Sequence, residues 1–140
     1  MIEQQLALIV AALFTGAAIY VNVAEQPARL ALPDDAMLMQ WKESYRRAAI
    51  MQAGLALVGC ILGLWAFSDT GDYLWVLGAL VLVSAWPLTL ILIKPTNDAL
   101  NDTQVASAET RGLVRKWGSL HAYRSAVGVA ATIIYFWAAN

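Results

Sequence analysis

Cysteine and histidine are nearly absent from this chain: there is one of each, Cys60 and His121. A single cysteine excludes an internal disulfide. Cys60 lies deep in an apolar run without a metal-ligand neighbour in sequence, so it reads as a small buried hydrophobe. A single histidine excludes bis-histidine haem ligation within one chain and any tight transition-metal site built from paired imidazoles. The sequence also lacks a Cys-x-x-Cys pair, a Walker loop and a dinucleotide fingerprint. Charge is scarce as well. Charged residues make up 14% of the 140 residues and hydrophobic residues 60%, against about 25% and about 45–50% in soluble domains. A soluble chain this short could not hide so much apolar surface from water. The net charge of −1 carries no information about partners, and nucleic acid is not an expected one.

Long apolar runs take the place of charge. Four are long enough to cross a bilayer, which needs about 20 residues: 6–23, 48–67, 73–93 and 117–139. Every backbone group in hydrocarbon must be satisfied within its own segment, and these runs lack the alternation of a barrel strand, so helices are expected. The expected fold is all-α: one polytopic domain, 1–140, forming a four-helix transmembrane bundle. Helix two should begin near Ala36, after Pro33-Asp34-Asp35 as a cap, and run straight into its span. Helix four should begin early, after Ser107-Ala108-Glu109-Thr110. Both would then extend into the cytosol. Pro87 should kink helix three by removing its bond to Val83, Pro27 should end helix one, and 95–106 reads as a loop with little helix.

Basic residues are absent from the N-terminal segment, the Ser68–Asp72 turn and the C-terminus. All nine Lys and Arg fall between runs one and two, between three and four, or at the mouth of run four. The positive-inside rule then places both long loops in the cytosol and both termini outside. The N-terminal run follows Met-Ile-Glu-Gln-Gln, which lacks the positive n-region of a cleavable signal, so it is read as a permanent helix. The bacterial inner membrane is the expected location. Trp65, Tyr73, Trp75, Tyr135 and Trp137 suit an outer aromatic belt. Lys42, Glu43, Arg46 and Arg47 suit a face toward anionic headgroups.

Polar residues inside a membrane are expensive, and here they form stripes at the cytosolic end. Trp117, His121, Arg124 and Gly128 share one face of helix four. Trp41, Tyr45, Ala48 and Gln52 share one face of helix two. Thr15, Asn22 and Glu25 align on helix one if it continues that far, and Asn97 and Asn101 follow helix three. Short connections make successive helices neighbours, so the stripes are expected to face each other around a polar pocket. Each residue also has a plainer reading. Arg124 could snorkel to headgroups, and His121 could be a hydrogen-bonded packing residue. Glu25 could be solvated or could neutralise Arg124. Asn97 and Asn101 could make turns, and Trp41 and Trp117 could anchor the interface.

Three segments carry a resemblance covering nearly the whole chain: Gly16-Ala17-Ala18-Ile19-Tyr20-Val21-Asn22-Val23-Ala24-Glu25-Gln26-Pro27-Ala28-Arg29, Pro95-Thr96-Asn97-Asp98-Ala99-Leu100, and Arg115-Lys116-Trp117-Gly118-Ser119-Leu120-His121-Ala122-Tyr123-Arg124. In that order they resemble the signatures of the anthrone oxygenase-like membrane proteins, with Gln26 where that group often has histidine. The resemblance implies oxidation of an anthrone methylene to the quinone by O2 without an obvious cofactor. On that chemistry His121 is the expected base, and Arg124 with Asn22 or Asn97 would hold the oxyanion. Trp41, Tyr45 and Trp117 would line an aromatic slot, and Glu25, Gln52 and Asn101 complete the expected binding set. No cofactor is expected, although a single-ligand haem or a weak metal at His121 and Glu25 stays open. The expected partners are the bilayer and a hydrophobic aromatic small molecule, with a homo-oligomer also open through the small residues of helix two. A non-enzymatic lipid or small-molecule binder, an accessory subunit and an oligomeric transporter are the competing classes.

Overall fold

A computed structural model describes all residues, 1–140. The chain is all-helical, with four long helices and no strand: α1 (Ile2–Leu30), α2 (Asp34–Thr70), α3 (Tyr73–Asp102) and α4 (Ala108–Ala138). Three of them, α1, α2 and α3, are long and apolar enough to cross a membrane. The expected fourth span, 117–139, lies on α4 but is not in that set, because Arg124 and the small and polar residues around it dilute its hydropathy. Each helix packs along its sequence neighbours, α1 also packs along α4, and α2 touches α4 across the middle. Much of the outer surface is apolar, with Ile9, Leu13, Ile50, Ile61, Leu77, Leu80, Ile91 and Phe136 exposed.

The helix starts follow from local chemistry. Ser107 and Thr110 form a reciprocal capping box at α4, and Asp72 accepts from the Leu74 amide (2.9 Å) at α3. Gly71 ends α2 in the left-handed region (φ 71°), where a side chain would be strained. The side-chain cap expected from Pro33-Asp34-Asp35 does not form. Asp34 lies in the first turn of α2 and accepts instead from Arg111 Nε at 2.7 Å. Arg111 also donates to the Leu30 and Leu32 carbonyls, each at 2.6 Å, so one guanidinium ties α4 to the end of α1 and the start of α2.

Two expectations about proline give way. Helix one passes Pro27 and ends at Leu30, and 94–102 is helical rather than loop. In both places a π-helical segment, Val21–Glu25 or Thr89–Ile93, precedes the proline by one residue. The wider turn relieves the clash of the proline ring with the carbonyl four residues back, so the helix continues. Near Pro87, where a kink is expected, the ladder is irregular. The helical ladder is interrupted at Ser84, whose hydroxyl bonds the Val81 carbonyl (2.6 Å), while Thr89 Oγ1 bonds the Ala85 carbonyl (2.7 Å).

Two buried clusters divide the interior. At one end Ala7, Ala11, Phe14, Ala56, Leu82, Trp75 and Tyr135 pack together. At the other end Val21, Met37, Trp41, Ile93, Leu100, Val114 and Trp117 do. Trp75 and Tyr135 are fully buried, with ring centroids 5.2 Å apart, and Tyr135 Oη donates to the Gly59 carbonyl at 2.8 Å. They are core residues and not part of an outer belt, whereas Trp65, Tyr73 and Trp137 are exposed as a belt requires. Lys42 departs from its expected headgroup face too: it caps the end of α3 by donating to the Asn101 (3.1 Å) and Thr103 (2.6 Å) carbonyls.

Tyr135 is seated only because Gly63 and Gly78 lack a Cβ, since an added methyl at either would overlap its ring or hydroxyl. Gly63→Ala and Gly78→Ala should therefore each lower the melting temperature of detergent-solubilised protein, read by circular dichroism. Gly54→Ala, where a Cβ meets nothing within 4 Å, should not. Equal melting temperatures for all three would contradict this packing.

Candidate functional site

Between the two clusters the interior turns polar. Gln52 on α2, and His121 and Arg124 on α4, are all buried there. They line a small cavity of about 20 Å³ together with Val21, Ser44, Tyr45, Ala48, Thr89, Ile93, Asn97 and Trp117. That volume accommodates about one water molecule. The two π-helical segments meet here: Val21 opens the first, and Thr89 and Ile93 bound the second.

Hydrogen bonds fix the state of His121. Asn22 Nδ2 donates to the Gly118 carbonyl at 2.8 Å, which turns its Oδ1 toward α4. There Oδ1 accepts from Ser125 Oγ (2.8 Å) and faces His121 Nδ1 at 3.0 Å. An amide oxygen only accepts, so Nδ1 carries a proton, and in the neutral form of the ring the lone pair is on Nε2. Nε2 has no protein partner. The Trp117 ring lies against the imidazole with centroids 5.0 Å apart.

A second amide orients Tyr45. Trp117 Nε1 donates to Asn97 Oδ1 at 2.8 Å, so Asn97 Nδ2 faces Tyr45 Oη at 3.1 Å and donates to it. The Tyr45 proton stays free for another acceptor. Asn22 and Asn97 each have the amide oxygen and one N–H engaged, which leaves each a second N–H. Asn22 contacts His121, and Asn97 contacts Tyr45.

Arg124 is 7% exposed and has neither a hydrogen bond nor a carboxylate partner; its guanidinium carbon stands 5.7 Å from the centre of the Phe14 ring. Glu25 does not neutralise it. Glu25 pairs with Arg29 (3.3 Å) and accepts from Gln40 (3.0 Å) and Ser44. Arg29 is buried, with its guanidinium 5.3 Å from the Trp117 centroid. It was not among the expected site residues, although Glu25 and Arg29 stand at i, i+4. The spacing becomes meaningful once the helix is known to pass Pro27. Ser125, four residues after His121, was missed for a simpler reason: serine at that position looks like ordinary helix filler.

The remaining expected residues divide. Gln52 reaches the cavity, and neither its oxygen nor its nitrogen has a partner. Trp41 is wholly buried, stacked on Tyr45 (4.8 Å, 5°) and edge-on to Trp117 (5.9 Å), so it supports the site from behind rather than lining it. Asn101 is exposed, and its backbone carbonyl receives Lys42. Glu25 lines a separate, larger groove of about 570 Å³ with Tyr20, Gln40, Glu43 and Arg47; Gln52, Ala48, Ser44 and Val21 form the partition between groove and inner cavity. No three His, Cys, Asp or Glu residues come together anywhere, and Glu25 and His121 are held by different partners.

A family model described as anthrone oxygenase matches residues 41–134. The chain belongs to the anthrone oxygenase family. The match includes Tyr45, Gln52, Asn97, Trp117, His121 and Arg124, while Asn22, Glu25 and Arg29 precede it. No curated protein and no solved structure matches the chain. The family name covers a membrane-helix protein whose one histidine faces a buried cavity, a placement the residues show independently.

The single histidine makes the tautomer directly measurable. Nitrogen-15 spectra of histidine-labelled protein should show one ring, protonated at Nδ1 and bare at Nε2. Asn22→Ala should shift it toward the Nε2–H form. A wild-type ring protonated at Nε2 would contradict the Asn22 contact.

Proposed function

We propose that the cavity around His121 and Arg124 is the reaction centre of an oxygenase that converts an anthrone-type methylene to a quinone carbonyl. The observation that carries this reading is the uncompensated Arg124 guanidinium beside a histidine whose Nε2 is bare. A buried unpaired charge costs several kcal/mol, and a ligand that becomes anionic in place removes that cost. An anthrone does so, because loss of a methylene proton spreads charge onto its carbonyl oxygen.

In this mechanism His121 Nε2 takes one proton from the methylene. The developing oxyanion is held by Arg124 and the free Tyr45 hydroxyl. The delocalised carbanion passes one electron to O2, and the resulting radical pair recombines to form a carbon–oxygen bond. The distal peroxide oxygen takes the proton back from His121. His121 then removes the second methylene proton as the O–O bond breaks, which leaves the carbonyl and hydroxide, and the hydroxide recovers that proton as water. One anthrone and one O2 give one quinone and one water. Asn22 and Asn97 act through the residues they orient, and Gln52 borders the reacting space.

The reading also takes α4 as the fourth span of a transmembrane four-helix bundle, with α2 and α4 projecting beyond the bilayer. The distribution of Lys and Arg supports both loops in the cytosol and both termini outside. The inner cavity, between the aromatic cluster and the apolar floor, would then lie at the cytosolic end of the bundle.

Oxygen uptake and quinone absorbance above the protein-free autoxidation rate test the reading, with anthrone as substrate. His121→Ala should lower kcat/KM by about 10²–10⁴ and Arg124→Gln by about 10²–10³. Tyr45→Phe should cost about tenfold, the worth of one hydrogen bond to a charged group. Unchanged turnover in His121→Ala would remove the proposed base.

A further inference from the structure

The inner cavity is far too small for a three-ring aromatic, yet it is not isolated. Arg124, Ala49 and Thr89 line both it and a second cavity of about 270 Å³ between α2 and α3. The other walls of that cleft are Ala53, Ala85, Trp86 and Leu90. Its volume approaches the lower end of the roughly 300–1,000 Å³ typical of small-molecule sites. The cleft exists for two reasons. The break at Ser84 and Pro87 parts the helices, so that α3 packs closely on α2 as far as Val83 and only sparsely beyond. The facing positions Ala49, Ala53 and Ala85 then leave the gap unfilled.

The cleft faces outward. Leu90 (60% exposed) and Trp86 (41% exposed) form its rim, and Trp86 Nε1 donates to the Ala53 carbonyl at 3.2 Å, which holds the indole at the opening. Its inner end is the Arg124 side chain, which is 93% buried by its 7% exposure and whose Nε lacks a partner. An apolar trough with one unsatisfied cation at its closed end selects a flat hydrophobic body carrying a terminal oxygen.

We propose that this cleft binds the aromatic body of the substrate and receives it directly from the bilayer. This rests on the reading of the His121–Arg124 cavity as the reaction centre. The rings lie on Ala49, Ala53 and Ala85 under Trp86, and the carbonyl oxygen reaches Arg124 at the seam of the two cavities. The substrate then arrives dissolved in the membrane, not as a water-soluble conjugate through the groove beside Glu25.

Anthraquinone serves as both ligand and probe, because its photoexcited carbonyl abstracts hydrogen from neighbouring C–H bonds and cross-links there. Protein in phosphatidylcholine vesicles containing anthraquinone is irradiated, and the adducts are mapped by mass spectrometry. Adducts concentrated at Ala53, Trp86 and Leu90 are expected. Ala53→Phe, which fills the trough, should abolish them and raise the KM for anthrone at least tenfold with the His121 nitrogen-15 signals unchanged. Adducts spread evenly over outward-facing residues such as Leu13 and Phe136, centred on Met51 and Tyr20 in the other groove, or absent altogether would overturn the proposal, whatever the fate of the variant. Cleft adducts without anthrone turnover would leave the binding site standing and remove the oxygenase reading. Turnover without cleft adducts would do the reverse.

Discussion

The constraint on which this interior depends is the unbalanced charge of Arg124. In a protein with 60% hydrophobic residues, a guanidinium buried without a carboxylate is a large local cost. The protein has a half-buried carboxylate nearby, but it is spent on Arg29: Glu25 pairs with that guanidinium and also accepts from Gln40 and Ser44. What surrounds Arg124 instead is a phenyl face, a small cavity and a cleft. The two arginines show two solutions to one problem. Arg29 has a carboxylate partner and packs on Trp117, while Arg124 has no carboxylate and borders both cavities.

The second organising feature is the use of backbone irregularity. Proline in a helix usually ends it, yet α1 and α3 each carry a proline past a π-helical segment. Those segments place Val21, Thr89 and Ile93 at the cavity wall. The inner cavity thus sits where two helices widen, and the lateral cleft sits where one of them breaks. Glycine does the complementary work in the other half of the molecule, where Gly63 and Gly78 let Tyr135 close the apolar core. One end is built for tight packing and the other for controlled looseness.

Much of this was legible in the sequence. The long helices, the early starts of α2 and α4, and the shared faces of Trp117, His121 and Arg124 all followed from hydropathy and the helical period. An irregularity near Pro87 followed from its missing amide. Three things did not follow. Pro27 and Pro95 look like helix ends, because a proline's neighbours do not announce a π turn. Trp75 and Tyr135 look like belt residues, because nothing local says that two glycines on other helices make room for them. The partners of Asn22, Glu25 and Asn97 depend on the rotation of each helix about its axis, and side-chain spacing within one helix does not set its angle relative to the next. That is why Asn22 and His121 were found but not paired, while the Glu25–Arg29 pair, four residues apart on one helix, was hidden by the end expected at Pro27.

Arg111 and Lys42 have a mechanical meaning. Arg111 binds the first turn of α4 to the end of α1 and the start of α2, and Lys42 binds α2 to the end of α3. Together they hoop all four helices at one end, as the Tyr135 seat clamps them at the other. A strut fastened at both ends flexes where it is thinnest. In α3 that is the stretch from Ser84 to Pro95, where the ladder is interrupted, widened and proline-substituted in turn. The least regular stretch of backbone in α3 is therefore one of the walls of the cleft.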